Sequence, residues 1–240
     1  MYENFSKVYD YFMEHCDYSQ WMDQIYDIFN KYEKKNGNLL DVGCGTGEMG
    51  LRFTEKFRYS GLDLSEEMLK LANKKLGKLD IQLYQADMVN FRMPERFDVA
   101  VALFDTVNHL TSNDELTSHF ICMRETLKDD GIYVFDLIDR EFMNAMFPAG
   151  TFVDIRNKIT VIWEHELEEG IDYIDATYFV KNRAGAYDKF TEGYEKKIFT
   201  QEEVEISLKR SGMKLLEVVE NKEIAGKRYF YVVAPDEMAR

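Results

Sequence analysis

The sequence predicts an α/β fold: a parallel, helix-covered sheet with an antiparallel β insertion late in the chain. Three observations carry that expectation. Short apolar runs alternate with helical patterns from Leu39 to Ile138, which is how parallel strands joined by right-handed crossovers read along a chain. A glycine-dense turn, Gly43-Cys44-Gly45-Thr46-Gly47, follows the first apolar run directly and opens a helix. From Pro148 to Phe199 the apolar period changes to two, the spacing of strands with one buried face.

In chain order, Trp21, Met22, Ile25, Ile28, Phe29 and Tyr32 share one helical face, so a helix precedes the first strand. Leu39–Val42, Tyr59–Leu64, Ile81–Gln85, Asp98–Phe104 and Gly131–Ile138 read as five strands. The helix after Asp63 starts at Ser65, with Glu66 and Glu67 in its electropositive first turn; another starts at Ser112, with Glu115 completing a capping box. Three alternating runs follow, marked by Ile159 to Leu167, Ile174 to Val180 and Phe190 to Ile198, and divided by turns at Glu169-Gly170 and Arg183-Ala184-Gly185. Thr200 caps a last helix, and Lys214–Glu220 with Arg228–Val233 close the chain as a hairpin-like edge of the main sheet. The chain thus divides into a core at 1–147, an insertion at 148–199 and a closing segment at 200–240.

A length of 240 residues suits one such domain with an appendage. The net charge of −14, with no Lys/Arg cluster beyond isolated pairs, disfavours nucleic acid and anionic membranes as partners. Cys16, Cys44 and Cys122 are odd in number and lack metal-ligand spacing, which fits a reducing, cytoplasmic setting. The N-terminus has no signal-peptide pattern, and no apolar run reaches membrane-spanning length.

The chemistry concentrates around the glycine turn. Glycines let a ligand lie against bare backbone, and the helix that follows presents unpaired N–H groups. Gly45-Thr46-Gly47-Glu48-Met49-Gly50 satisfies the dinucleotide spacing by count, but Asp41 at the strand end would repel a pyrophosphate and suits a cationic ligand such as S-adenosylmethionine. Asp63, ending the second strand, is placed to accept hydrogen bonds from ribose hydroxyls.

Asp41-Val42-Gly43-Cys44-Gly45-Thr46-Gly47 resembles the first motif of class I S-adenosylmethionine-dependent methyltransferases, and Gly61-Leu62-Asp63-Leu64-Ser65-Glu66-Glu67-Met68-Leu69 resembles the segment that follows it. The likeness extends over nearly the whole chain, toward small-molecule enzymes that methylate sugar amines or glycine. It implies a Rossmann-like sheet of seven strands with the last antiparallel, and a substrate lid formed by the inserted meander. It also implies cofactor contacts at Asp41, Gly43, Cys44 and Gly45 around the methionine part, Cys44 being a small filler. Asp63 would hold the ribose, Leu64 and Met68 would sandwich the adenine, and Asp87 and Met88 would bind its edge. The Leu103 carbonyl would face the methionine ammonium, and Trp21 corresponds to a helix residue that touches the cofactor. For Asp87 a turn or helix cap is the alternative, and for Trp21 a place in the core.

Phe104-Asp105-Thr106-Val107-Asn108-His109-Leu110 follows the fourth strand and so borders the site. His109 is the candidate base, since imidazole takes a proton near neutrality; bonding a backbone group is its other reading. The opening Tyr2 to Asp10 resembles a segment that folds over the cofactor in the same relatives, with Tyr9 either assisting His109 or anchoring a terminal helix. The reaction expected is methyl transfer from S-adenosylmethionine, leaving S-adenosylhomocysteine, to a nitrogen or oxygen of a small molecule, by a monomer or homodimer. The rival readings are an RNA or protein methyltransferase and a nicotinamide-dependent oxidoreductase.

Overall fold

The computed structural model describes residues 5–221 and 228–236. Tyr2, Glu3 and Asn4 of the opening segment lie outside them. A short α1 (Tyr9–Phe12) and the longer α2 (Tyr18–Lys31) lead into β1 (Gly37–Val42), α3 (Glu48–Phe53), β2 (Phe57–Asp63), α4 (Glu66–Leu76), β3 (Gln82–Gln85) and β4 (Phe97–Ala102). A 3-10 turn at Thr106–His109 precedes α5 (Asn113–Thr126), β5 (Leu127–Ile138) and α6 (Arg140–Met146). The insertion is β6 (Thr151–Ile155), β7 (Ile159–Glu168), β8 (Ile171–Lys181) and β9 (Tyr187–Lys197), and α7 (Gln201–Arg210), β10 (Met213–Asn221) and β11 (Arg228–Pro235) complete the chain.

The main sheet has seven strands in the order β10-β11-β5-β4-β1-β2-β3. β3, β2, β1, β4 and β5 run parallel to one another, whereas β11 runs antiparallel to both β5 and β10. The closing pair is thus the expected hairpin-like edge, with β10 outermost and β11 between it and β5. Strand alternation explains why both faces are covered. Leu39, Val99, Val101 and Val134 point to one face and pack with Ile25, Phe29 and Phe53 of α2 and α3. Leu40, Ala100, Ala102 and Phe135 point to the other and meet Phe120 of α5 and Leu208 of α7.

Helix starts follow local chemistry. Ser65 accepts from the Met68 N–H and Ser112 from the Glu115 N–H, while Thr200 and Glu203 form a complete capping box. At Ser112 the expected box is only half made, because the Glu115 carboxylate turns back to the backbone N–H and hydroxyl of Thr111, at 2.7 and 3.0 Å.

The insertion is a four-stranded antiparallel sheet, β6-β7-β8-β9. Its first strand was hidden in the sequence because Val153 and Ile155 point outward on an exposed edge, so the period-two pattern there is inverted. Its inner face, Val161, Ile174, Ala176 and Tyr178, packs on Phe5, Val8, Met143 and Phe147. Phe5 stacks on Tyr178 with ring centroids 5.0 Å apart, and its N–H donates to Glu192, so the N-terminal segment is seated on this sheet. At the junction with the core, buried Asp172 takes a two-pronged contact from Arg140, at 2.5 and 2.8 Å, and lies 2.7 Å from the His165 Nε2. Among the described residues no helix is long and apolar enough to cross a membrane, and no group of three or more His, Cys, Asp or Glu could hold a metal ion.

Candidate active site

A cavity of about 260 Å³ opens at the carboxyl ends of β1, β2 and β4, where the turns of an open α/β sheet leave room for a ligand. Its floor is the glycine turn. Gly43 has φ +72°, and a Cβ there would lie 2.5 Å from the Thr106 side chain, so only glycine lets this turn approach the loop after β4. Gly45, at φ +52°, has no other group within 4 Å of where a Cβ would stand, and its bare backbone lines the cavity. Gly47, also left-handed, caps α3.

The electrostatics are one-sided. Asp41, Glu48, Asp63, Asp87 and Glu115 line the cavity, and none of the described lining residues is Lys or Arg. Asp41 is buried and accepts a hydrogen bond from the Tyr59 hydroxyl at 2.9 Å. Burial pushes its carboxyl up to about 7; the Tyr59 bond opposes the rise and the Asp63 charge adds to it. Asp63 accepts from the N–H groups of Gly45 and Ser65, each at 2.8 Å, which ties the glycine turn to the start of α4. Burial raises its carboxyl and these backbone bonds hold the rise back. Burial and the neighbouring Asp41 and Asp63 charges keep the Cys44 thiol protonated. Its sulfur would be 2.8 Å from a Cβ at Gly61, so it fills the space that glycine leaves.

The loop after β4 supplies Leu103, Phe104, Thr106, His109 and Leu110. The Leu103 carbonyl accepts from the Thr106 hydroxyl at 2.8 Å and keeps a second lone pair for a ligand. His109 bonds the backbone of Glu195, and burial together with the Lys196 charge holds its imidazole down at about 3, against a smaller opposing effect of Asp105. The ring is therefore neutral at neutral pH. Tyr9 reaches the same space from α1; burial, reinforced by the nearby Tyr18, Asp105, Cys16 and Asp63, keeps its phenol protonated. On the cofactor side, Asp10 accepts from the Thr46 hydroxyl at 2.5 Å and pairs with Lys75 at 3.0 Å, fastening α1 over the glycine turn.

A family model described as a methyltransferase domain matches residues 39–131. The putative methyltransferase YqeM of Bacillus subtilis (strain 168) is 35% identical over 222 residues, spanning 90% of this chain and 87% of that protein. A crystal structure of an S-adenosylmethionine-dependent methyltransferase from Clostridium acetobutylicum ATCC 824 superposes with a TM-score of 0.85 at 25% identity, covering 98% of this chain and 99% of that one. The chain belongs to the S-adenosylmethionine-dependent methyltransferases. The dTDP-3-amino-3,4,6-trideoxy-alpha-D-glucopyranose N,N-dimethyltransferase of Streptomyces venezuelae is 36% identical over 140 residues, 57% of this chain and 58% of that protein. Family membership sets the nicotinamide reading aside.

In this methyltransferase the cavity brings together Tyr9, Asp41, Gly43, Cys44, Gly45, Asp63, Leu64, Met68, Asp87, Met88, Leu103 and His109. Leu64 is half exposed and Met68 buried, and both line the cavity. Asp87 lines the cavity and also closes its own turn by accepting from the Val89 N–H at 3.0 Å, the turn role that was its alternative reading. Trp21 is the correction. It lies in the core with its ring 4.2 Å from that of Phe104 and does not line the cavity; Tyr18, one helical turn earlier, does. The helix face was legible, but the end of the face that reaches the site was not.

Sequence reasoning also missed Thr106, Leu110 and Glu115, all in or just after the loop it had marked, and Tyr59, whose hydroxyl meets Asp41. Tyr59 stands two residues before Gly61 on β2, so alternation along the strand was the available signal. His119 is structural, bridging the Met88 carbonyl at 3.0 Å and the Tyr133 hydroxyl at 2.8 Å.

Proposed function

We propose that this methyltransferase acts on an amine nitrogen of a small molecule, with Asp41, Asp63 and Asp87 as the groups that recognise the donor. The single observation that supports the reading most is the cavity's acidic lining: Asp63, Asp87 and Glu115, with Asp41 ionising as pH passes about 7 and Glu48 paired with Arg52 and Lys75, and no Lys or Arg among the described lining residues. A concave site of that sign attracts a ligand carrying an ammonium and a sulfonium, and it disfavours an anionic dinucleotide. The residues fit the donor. Gly45 leaves open space where the methionine part would lie, Asp41 would hold its ammonium, Asp63 its ribose hydroxyls, and Leu64 with Met68 would flank the base.

When bound, the donor supplies an electrophilic methyl group; the chain's task is to align a nucleophile with it and exclude water. His109, neutral at working pH and with one ring nitrogen engaged by Glu195, offers its other nitrogen as acceptor for an amine N–H. An imidazole held at about 3 is too weak to strip a proton from an alkylammonium, so it selects and orients the neutral amine instead of acting as a strong base. Tyr9, kept protonated and lining the same cavity, would offer its hydroxyl to the acceptor as a donor. The inserted sheet, joined to the loop after β4 through Lys196 and Lys197, is read as a lid for the acceptor, which agrees with a small substrate better than with RNA or a folded protein. The relative acting on a dTDP-linked amino sugar supports nitrogen over oxygen. The free cysteines Cys16, Cys44 and Cys122 support a cytoplasmic setting.

The test is calorimetry with S-adenosylmethionine and S-adenosylhomocysteine, followed by transfer of labelled methyl to a panel of amino sugars, amino acids, polyamines and matched alcohols. Transfer to an amine, with turnover rising with pH as the acceptor loses its proton, is the expected result. Labelling confined to hydroxyl acceptors or to macromolecules would overturn the amine reading.

A further inference from the structure

The loop after β4 does not hold its own shape. Phe104 and Asp105 have φ values of +61° and +54°, a left-handed conformation that two consecutive non-glycine residues adopt only when their surroundings impose it. The imposing contacts come from two sides. From the main sheet, Asp136 Oδ2 accepts the Asp105 N–H at 2.8 Å, and Asn108 Oδ1 accepts the Ile138 N–H at 3.1 Å. From the last residues of β9, in the inserted sheet, come three more. Lys196 pairs with the Asp105 carboxylate, the Lys197 carbonyl accepts from Asn108 Nδ2 at 2.8 Å, and His109 bonds the backbone of Glu195. Of the three, only the Lys196 contact uses a side chain of β9, so it is the one that a substitution in the inserted sheet can remove.

Charge balance makes Lys196 the central group. Asp105 and Asp136 face Lys196 and Arg228, whose guanidinium lies 3.0 Å from Asp105 and 2.7 Å from Asp136. These side chains are all largely withdrawn from solvent, so two anions and two cations compensate each other where water cannot. Without Lys196, Arg228 would serve both carboxylates, and an uncompensated anion would stand beside the strained turn. The charged groups facing His109 are Lys196 from β9 and Asp105 from its own loop.

We propose that Lys196 is a positioning residue of the methyltransferase: its ion pair with Asp105 pins the strained turn to the inserted sheet and so fixes His109 toward the acceptor. The sheet is then part of the reactive site's assembly as well as its cover. The inference rests on the reading that His109 faces the acceptor, but the clamp itself is a property of the loop and is measured separately.

The experiment uses the full chain with S-adenosylhomocysteine bound, comparing wild type, Lys196→Met, Lys196→Arg and Asp105→Asn by amide hydrogen exchange, and by kcat and KM with the best amine of the panel. In Lys196→Met, exchange at residues 104–109 should rise about tenfold or more, which is local opening of the loop. Its kcat should fall by a similar factor while KM for the donor changes little. Lys196→Arg should restore both, and combining Lys196→Met with Asp105→Asn should cost less than the two losses multiplied. Wild-type exchange in Lys196→Met, failure of the Arg variant to rescue, or strictly multiplicative losses would each overturn the clamp. If Lys196→Met does not fold, Asp105→Asn with Lys196→Arg decides the same question. Should wild type bind no S-adenosylhomocysteine, the donor reading falls instead, and exchange of the ligand-free chain still tests the clamp.

Discussion

Asp41→Asn separates what this residue does for the fold from what it does for the ligand. The carboxyl is buried, with a value raised from 3.8 to about 7, so the native state holds its proton over a range where the unfolded chain has lost it. Stability from this group is therefore fully present below the unfolded value and is lost as pH rises toward 7. At about 1.4 kcal/mol per unit, a shift of about 3 units amounts to about 4 kcal/mol of destabilisation once Asp41 is ionised. Asparagine keeps the shape and can still accept from Tyr59, but carries no charge. Asp63 and Asp136, also raised by burial, are common to both proteins and cancel in the comparison. Urea titrations at about pH 5 and about pH 8 should show the variant gaining roughly 3 kcal/mol on wild type between the two. Calorimetry should show the reverse for the ligand: wild type binds S-adenosylhomocysteine more tightly as pH rises through about 7, and the variant binds roughly tenfold or more weakly with no such trend. A constant stability gap between the two proteins across pH would refute the argument from burial.

Asp10→Ala should free α1 from Thr46 and Lys75 and speed S-adenosylhomocysteine release about fivefold in stopped flow, with little change in Tm, because Asp10 is half exposed. Gly43→Ala places a methyl 2.5 Å from Thr106 at a positive φ; we expect a loss of roughly 2 kcal/mol in denaturant titrations and collapse of donor affinity. Asp172→Ala leaves Arg140 without its buried carboxylate and should cost about 2 kcal/mol, discounted for the partial exposure of Arg140, with proteolysis of the inserted sheet appearing first.

The main sheet was legible because its strands obey short-range rules. Leu39, Leu40 and Val42 are apolar and buried, as a strand covered on both faces requires, with Asp41 the one polar interruption at the ligand end, and Ser65, Ser112 and Thr200 cap the helices they announce. The glycine turn and the acids at Asp41 and Asp63 were legible for the same reason: their chemistry is set by neighbours in sequence. What escaped was set by distant packing. Trp21 and Tyr18 share a helix face, and only the position of Phe104 decides which of them meets the cavity. Nothing near Asp105 in sequence points to Lys196, ninety-one residues away, and the low basicity of His109 follows from that partner and from burial.

In an open parallel sheet only strand ends and the turns beyond them can face the ligand, so a strand's first residue is ordinarily on the wrong side of the molecule. Reversal of β11 lifts that restriction. Because it runs against β5, its opening residue Arg228 arrives beside Ile138, the terminal residue of β5, within reach of Asp105. One antiparallel strand thus carries a guanidinium to a rim that parallel neighbours could furnish only from their outgoing turns.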